Sequence, residues 1–479
     1  MDQLRPEDSR PAPENTGPGW VSRHRGLLTG VLAGVLALGV LTAGAITGSA
    51  TAGPAAPAAP APEPSAEPII AERTVPGSPI PAFARTCSIE SLTQDPRLGT
   101  FQAQVYNATT GEVLFERDPD VPAATASSMK ILTAAAALSV LGPDYRASTR
   151  VVTGDSPGTI VLVGGGDLTL TRLPTGQEPV YTGAAHLDDL AAKVRAARSA
   201  AGITAPVTRI ILDSGYFSGP TWDASWPATE RRDGWLSHIT ALQVDADRND
   251  PKVFLSPRGE DPIGRAGSAF ASYFPGASVQ QGSAPAAATE LASVSSAPLS
   301  ALIPLMLIPS DNTLAEMLGR QVAIALGEGN TLASLRTAFP KALAGYGLDT
   351  SALTVIDASG MSPGNAVAPS YLASLYLQIN QRAQNLGFIR DGLAVAGQSG
   401  TLGYSNRFTG PNAVARGHIT GKTGSITQAY TLGGVIDAAD GSTLVFMIYA
   451  TGRVSASARQ GIDTVATGMY RCGNSLANN

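Results

Sequence analysis

The sequence predicts an α+β domain built on an antiparallel sheet with helices on both faces, interrupted by a large mixed α/β insertion. Three observations carry this expectation. Strand-like segments stand at both ends of the globular part: FQAQVYNATTGEVLFERD (Phe101–Asp118) near its start, and HITGKTGS, TLGGVIDA and STLVFMIYA near its end. Helical texture follows the first group and returns from Pro298. The block 148–295 differs from both, with short apolar runs and loops rich in Pro, Asp and Trp such as PTWDASWPATERRDGW. It therefore reads as inserted between two parts, 85–147 and 296–479, of one catalytic domain.

In chain order, residues 1–25 are polar and end in Arg23-His24-Arg25, a cytoplasmic tail in character. GLLTGVLAGVLALGVLTAGAI (Gly26–Ile46) carries no charge and is long enough to span a bilayer. The segment 26–48 is thus a transmembrane anchor or a signal. Its length favours an anchor, and the preceding arginines favour a cytoplasmic N-terminus, while Ala50-Thr51-Ala52 has the form of a cleavage site. Residues 49–84 form a Pro/Ala linker, extended and semi-rigid. Everything beyond lies outside the cytoplasm, where a Cys87–Cys472 disulfide is permitted. Those two cysteines flank the globular part, whose termini are expected to lie close together; two buried thiols are the alternative.

Phe101–Asp118 reads as two strands about an Asn/Thr/Gly turn. ATASSMKILTAAAAL (Ala124–Leu138) reads as a helix that stops at Gly142-Pro143. Within the insertion, TIVLVGGGD and RIILDSGYF read as strands and HLDDLAAKVRAARSA as a helix. The terminal strands turn at Asp440-Gly441, a hairpin signal, and SARQGIDTVATGMYRC closes the chain as a helix. A net charge of -5 gives no basis for nucleic-acid binding. The two cysteines and four scattered histidines lack zinc-ligand spacing.

Three short motifs could carry chemistry. Ser127 and Lys130 stand three apart where a helix begins, so they share a face. The free backbone N–H groups there favour a developing alkoxide. A lysine acts as base only when neutral, which burial and a second cation promote. The plainer reading is a helix cap beside a charge. Ser310-Asp311-Asn312 also precedes a helix, where a hydroxyl can relay a proton and an amide can orient a peptide. Lys422-Thr423-Gly424-Ser425 lies on an expected strand. There two hydroxyls and a cation can hold a carboxylate, and glycine admits a substrate backbone. The chain has only Lys130, Lys193, Lys252, Lys341 and Lys422, so two lysines inside motifs carry weight.

Taken in this order, S-x-x-K, S-x-N and K-T-G form the motif set of penicillin-binding proteins and class A β-lactamases. The chain most resembles the D-alanyl-D-alanine carboxypeptidase/endopeptidase family, the low-molecular-mass class C penicillin-binding proteins. The resemblance covers nearly everything after residue 85. It includes SDNTLAEML, Asp357-Ala-Ser-Gly-Met-Ser-Pro-Gly-Asn365, Gly400-Thr401-Leu402 and Arg407-Phe408, with Ala358 where the family usually has Gly. It implies a penicillin-binding/β-lactamase-like fold and a hydrolase for peptidoglycan peptides ending in D-Ala-D-Ala, acting on the cell-wall side of the membrane. The activity it implies is carboxypeptidase, with DD-endopeptidase as a companion, inhibited by β-lactams and needing no cofactor. Ser127 would attack the carbonyl and Lys130 take its proton. Ser310 and Lys422 would carry a proton to the leaving D-Ala, and Asn312 would bind the peptide. Thr423 and Ser425 would bind the terminal carboxylate, and the N–H groups of Ser127 and Ser425 would form the oxyanion hole.

Rival readings are a β-lactamase, a non-catalytic peptidoglycan scaffold, and a Ser-His-Asp hydrolase. The last rests on Gly154-Asp-Ser-Pro-Gly158 and Gly360-Met-Ser-Pro-Gly364, the second followed by Asp391 and His418. Its oxyanion hole needs the N–H after the serine, and Pro157 and Pro363 have none.

Overall fold

The computed structural model describes residues 85–478. The expected tail, membrane segment and linker lie outside the described residues. Among the described residues no helix is long and apolar enough to cross a membrane.

After a short helix, Glu90–Thr93, and a 3₁₀ turn, Pro96–Leu98, comes a hairpin, β1 (Thr100–Asn107) and β2 (Val113–Arg117). Its turn is set by Asn107, whose Oδ1 accepts from the backbone N–H groups of Thr109 and Thr110. A short 3₁₀ turn, Ala126–Ser128, runs into α1 (Met129–Val140). Next come β3 (Ser148–Thr153), β4 (Thr159–Gly164), α2 (Leu187–Ala200), β5 (Arg209–Asp213), α3 (Pro262–Ala271), β6 (Ser278–Gln281) and β7 (Glu290–Ser295). These strands form a five-stranded mixed sheet in the order β6-β5-β4-β3-β7. β4, β5 and β6 run parallel, joined by crossovers that contain α2 and α3, while β3 is antiparallel to both its neighbours. Val151, Ile160, Leu162, Ile210 and Leu212 bury one face of this sheet against Leu190 and Val194 of α2 and Phe270 of α3.

Helices then return: α4 (Leu299–Leu307), α5 (Asn312–Ala325), α6 (Leu335–Leu343) and α7 (Pro369–Asn380). The chain ends with β8 (Ala394–Val395), β9 (Ile419–Ile426), β10 (Ala429–Asp437), β11 (Thr443–Thr451) and α8 (Ala458–Cys472). The main sheet has six strands in the order β2-β1-β11-β10-β9-β8, every pair antiparallel. Its first strand in sequence, β1, pairs with its last, β11, Val105 opposite Phe446, so segments from both ends of the described residues close one layer. Cys87 and Cys472 are joined by a disulfide beside that seam.

Alternation along β11 builds both faces of this sheet. Val445, Met447 and Tyr449 pack with the helical core of α1 and α4–α7, and Leu444, Phe446 and Ile448 pack with Ile462, Val465 and Met469 of α8. Residues Met129 to Leu138 of α1 are all buried, and the helix packs against α5 and α6. Its run of alanines makes that possible, because short side chains let neighbouring helices approach on every side.

Candidate active site

Ser127 sits in the 3₁₀ turn that leads into α1 and is partly exposed. Ala126 before it adopts φ +46°, a left-handed conformation costly for a residue with a side chain. The surroundings hold that turn in place. Thr431 of β10 donates its hydroxyl to Thr125 O at 3.0 Å and lies 2.8 Å from Ser128 Oγ. Two glycines clamp it. A Cβ on Gly360 would lie 1.8 Å from Ala126 O, and one on Gly424 would lie 2.2 Å from Thr431 Oγ1 and 2.8 Å from Ala126 Cβ. The Cβ direction at Gly424 is therefore filled by the nucleophile turn, which is a packing reason for glycine at this position. Ser128 is fully buried on the sheet side, which separates it from its exposed neighbour.

Lys130 lies one turn along and is completely buried. Its Nζ is 3.0 Å from Ser127 Oγ, 2.6 Å from Asn312 Oδ1 and 2.6 Å from Ser359 O. Burial pushes this amine down to about 8, against the pull of Asp357, Glu316, Asp311 and Glu230. Ser359 belongs to a tight loop, 357–365, organised around Asp357. That carboxylate accepts from the backbone N–H groups of Gly360 and Ser362, from Asn365 Nδ2, and from the indole N–H of Trp226. Glu316 of α5 accepts from the N–H groups of Ala358 and Ser359 at 3.0 and 2.8 Å. Burial, then the charge of Asp357, raise the Glu316 carboxyl to about 8. The Ala358 methyl finds room because Gly319 faces it: a Cβ on Gly319 would lie 2.5 Å from Ala358 Cβ.

Ser310 and Asn312 enter from the start of α5. Ser310 takes φ +65°, and its Oγ lies 2.9 Å from Lys422 Nζ, which also donates to Thr423 O. Burial, then the charge of Lys130, push the Lys422 amine well below its ordinary value. Asp311 caps α5 by accepting from the Leu314 N–H. Its other oxygen accepts from Tyr181 OH at 2.8 Å and Arg248 Nη2 at 2.9 Å. Burial alone would raise this carboxyl, but Arg248, Arg258 and these hydrogen bonds hold it below the usual range.

Thr423 and Ser425 follow on β9. The hydroxyls of Thr423 and Thr401 lie 2.6 Å apart. Ser425 is exposed, and Arg459 Nη2 donates to its Oγ at 3.1 Å. β8 pairs with β9 only through Gly421 and Thr420. From Lys422 onward β9 is thus an open edge among the described residues, adjacent to Ser127.

The structure brings Ser127, Lys130, Ser310, Asn312, Lys422 and Thr423 into one cluster with Gly424 and Ser425 at its rim. The alternative triad is scattered. Ser362 Oγ accepts from the Gly364 N–H, Asp391 pairs with Arg382, and His418 stacks on Tyr470. Ser156 bonds Thr159 in the turn between β3 and β4. Among the described residues no group of His, Cys, Asp and Glu is placed to hold a metal ion. Motif reading overlooked Glu316, Tyr181, Arg248 and Trp226. Glu316 leaves a trace, a lone acid in the buried run of α5 four residues after Asn312. The other three act across more than sixty residues of sequence and leave none.

The model of the D-Ala-D-Ala carboxypeptidase 3 (S13) family matches residues 86–274 and 274–468. The chain is 36% identical over 393 residues to Carboxypeptidase Rv3627c of Mycobacterium tuberculosis, covering 81% of this chain and 84% of that protein. It is 34% identical to Carboxypeptidase DacB of Mycolicibacterium smegmatis, covering 79% and 82%. Its fold is similar to crystalline penicillin-binding protein 4 of Haemophilus influenzae, with a TM-score of 0.66 at 19% identity over 80% of this chain and 99% of that one. The chain belongs to the D-Ala-D-Ala carboxypeptidase 3 (S13) family, the serine carboxypeptidases among the class C penicillin-binding proteins.

Proposed function

We propose that the protein removes the terminal D-Ala from peptidoglycan stem peptides through an acyl-enzyme on Ser127, the residue that penicillin also acylates. The observation that carries this reading is the position of Lys130 Nζ, 3.0 Å from Ser127 Oγ in a fully buried site. With a value of about 8, roughly a tenth of Lys130 is neutral at pH 7 and able to accept the serine proton. Ser127 Oγ then bonds to the carbonyl carbon. The N–H groups of Ser127 and Ser425 receive the oxyanion, often the largest catalytic contribution. The C–N bond breaks as Ser310, paired with Lys422, delivers a proton to the leaving amine. Water cleaves the ester in the second half.

The open edge of β9 offers the substrate backbone a strand to pair with. Asn312 has Oδ1 engaged by Lys130, which leaves its amide N–H₂ to donate to a peptide carbonyl. A D-Ala cross-link presents the same carbonyl and a leaving amine, so DD-endopeptidase action would use the same residues. Stem peptides lie outside the cytoplasm, and the uncharged Gly26–Ile46 segment would hold the enzyme to the membrane facing them. The block 148–295 would be an inserted domain whose Tyr181 and Arg248 steady Asp311.

The test is D-Ala release from diacetyl-Lys-D-Ala-D-Ala by the full-length protein. Release is expected, and Lys130→Met should lower it by at least about 10²-fold while the circular dichroism spectrum is unchanged. No release by the wild type, or undiminished release by the variant, contradicts the reading.

A further inference from the structure

We propose that Arg248 is a positioning residue for one step of the reaction: acting through Asp311, it holds Ser310 where its hydroxyl can give a proton to the leaving amine. This inference rests on the function proposed above. Ser310 takes φ +65°, unfavourable for a residue with a side chain, and in that conformation its Oγ lies 2.9 Å from Lys422 Nζ. The lysine donates in that contact, so the hydroxyl hydrogen of Ser310 is left to point elsewhere. As the C–N bond breaks, that hydrogen passes to the leaving nitrogen and Lys422 replaces it. The proton that Ser127 gave to Lys130 balances the count. The brace on Ser310 is its neighbour Asp311, held at both carboxylate oxygens. One caps α5 at the Leu314 N–H, and the other receives Tyr181 OH and Arg248 Nη2.

A strained piece of backbone aims Arg248 at that carboxylate. Asp245, Ala246 and Asp247 take φ +55°, +47° and +58°, and all three are buried. Three non-glycine residues in succession there form a turn of left-handed helix, disfavoured at each one. Their partners hold them. The N–H groups of Asp245 and Ala246 donate to Leu170 O and Leu168 O, each at 2.7 Å, and Arg258 Nη1 donates to Ala246 O at 2.6 Å. Arg172 pairs with Asp245, and Arg265 with Asp247. Strain of this kind clusters at functional sites, and what this turn delivers is Arg248. Its Cζ lies 4.6 Å from the centre of the Tyr181 ring and 5.3 Å from that of Phe254. Nε and Nη1 donate to Phe254 O and Asp245 O, and Nη2 is left for Asp311. The attacking side of the site has other anchors: Lys130 is held by Asn312 Oδ1 and Ser359 O. Loss of Arg248 should therefore fall on proton delivery by Ser310 and spare the attack by Ser127.

The experiment compares the full-length wild type with Arg248→Met and Tyr181→Phe on two substrates. One is diacetyl-Lys-D-Ala-D-Ala. The other is the thiolester diacetyl-Lys-D-Ala-D-thiolactate, whose thiolate leaves without taking a proton. The quantity read is kcat/KM, which covers the steps up to the acyl-enzyme. Arg248→Met should lower it about 10²-fold for the amide and by less than about threefold for the thiolester. Tyr181→Phe, which loses one hydroxyl, should show the same preference with a loss of about fivefold on the amide, and it decides the matter if Arg248→Met fails to fold. Equal losses on both substrates would mean that Arg248 only supports the site as a whole, and no loss on either would mean that Ser310 is held without it; each overturns the inference. A wild type that releases no D-Ala from the amide overturns the proposed function and the inference together, and so is distinct from both.

Discussion

Lys130 has no access to water, and that single circumstance makes it a base. Its Nζ is surrounded by Ser127 Oγ, Asn312 Oδ1 and Ser359 O, and burial outweighs four carboxylates in setting its value near 8. The neutral amine is the active form, so its population grows with pH until it saturates. The second-order rate of penicillin acylation should therefore rise nearly tenfold per unit at low pH and level off above about 8. A stopped-flow profile between pH 5.5 and 9.5 checks this. A rate that falls over that range would remove Lys130 from the role. The pair itself was legible in sequence because i and i+3 spacing at a helix start fixes both the shared face and the choice of Ser127 over Ser128. Its environment was not legible, since the groups facing Lys130 come from α5 and the loop at 357–365.

At the scale of elements, α5 and that loop act as one unit. Glu316 ties them by accepting two backbone N–H groups, and Ser359 passes the connection on to Lys130. Removing the acceptor strands both donors, so Glu316→Ala should cost about 2–3 kcal/mol of stability in urea unfolding. Glu316→Gln, which keeps an oxygen there, should cost less. The sign of its pH dependence follows from linkage. The folded value of about 8 lies above the ordinary 4.5, so the carboxyl takes up a proton on folding between those limits. Its contribution therefore falls as pH rises through that window. The glutamine variant, which cannot ionise, should gain on the wild type from pH 5 to pH 8; equal losses for Ala and Gln, with no change across pH, would contradict this account. The elements themselves were readable: the continuous apolar run of STLVFMIYA between turns and the long apolar run of α1 each matched what formed. What escaped were the left-handed residues Ala126 and Ser310. Both are non-glycine, and only contacts from distant strands and loops hold them there. Ala358 shows the same limit, because its tolerance depends on Gly319, a residue with no signature of its own.

At the scale of the whole molecule, two long-range closures shape the site. Tyr181 and Arg248, both from the block between the two parts of the main sheet, grip Asp311 between the site residues Ser310 and Asn312. Two connecting segments of that block, one between β4 and α2 and one between β5 and α3, thereby take part in the active site. The second closure joins the ends. β1 lies beside β11, and Cys87 is bonded to Cys472 across 385 residues of sequence. Cys472→Ser should lower stability by about 2–5 kcal/mol, read as a shift in the urea midpoint at unchanged slope. A midpoint that stays put would show that strand pairing alone closes the seam. The central claim is that Ser127 is the nucleophile, and labelled penicillin tests it most directly. After reaction with the full-length protein and peptide mapping, the label should sit on Ser127 alone; label on Ser128, Ser156 or Ser362 would contradict the mechanism.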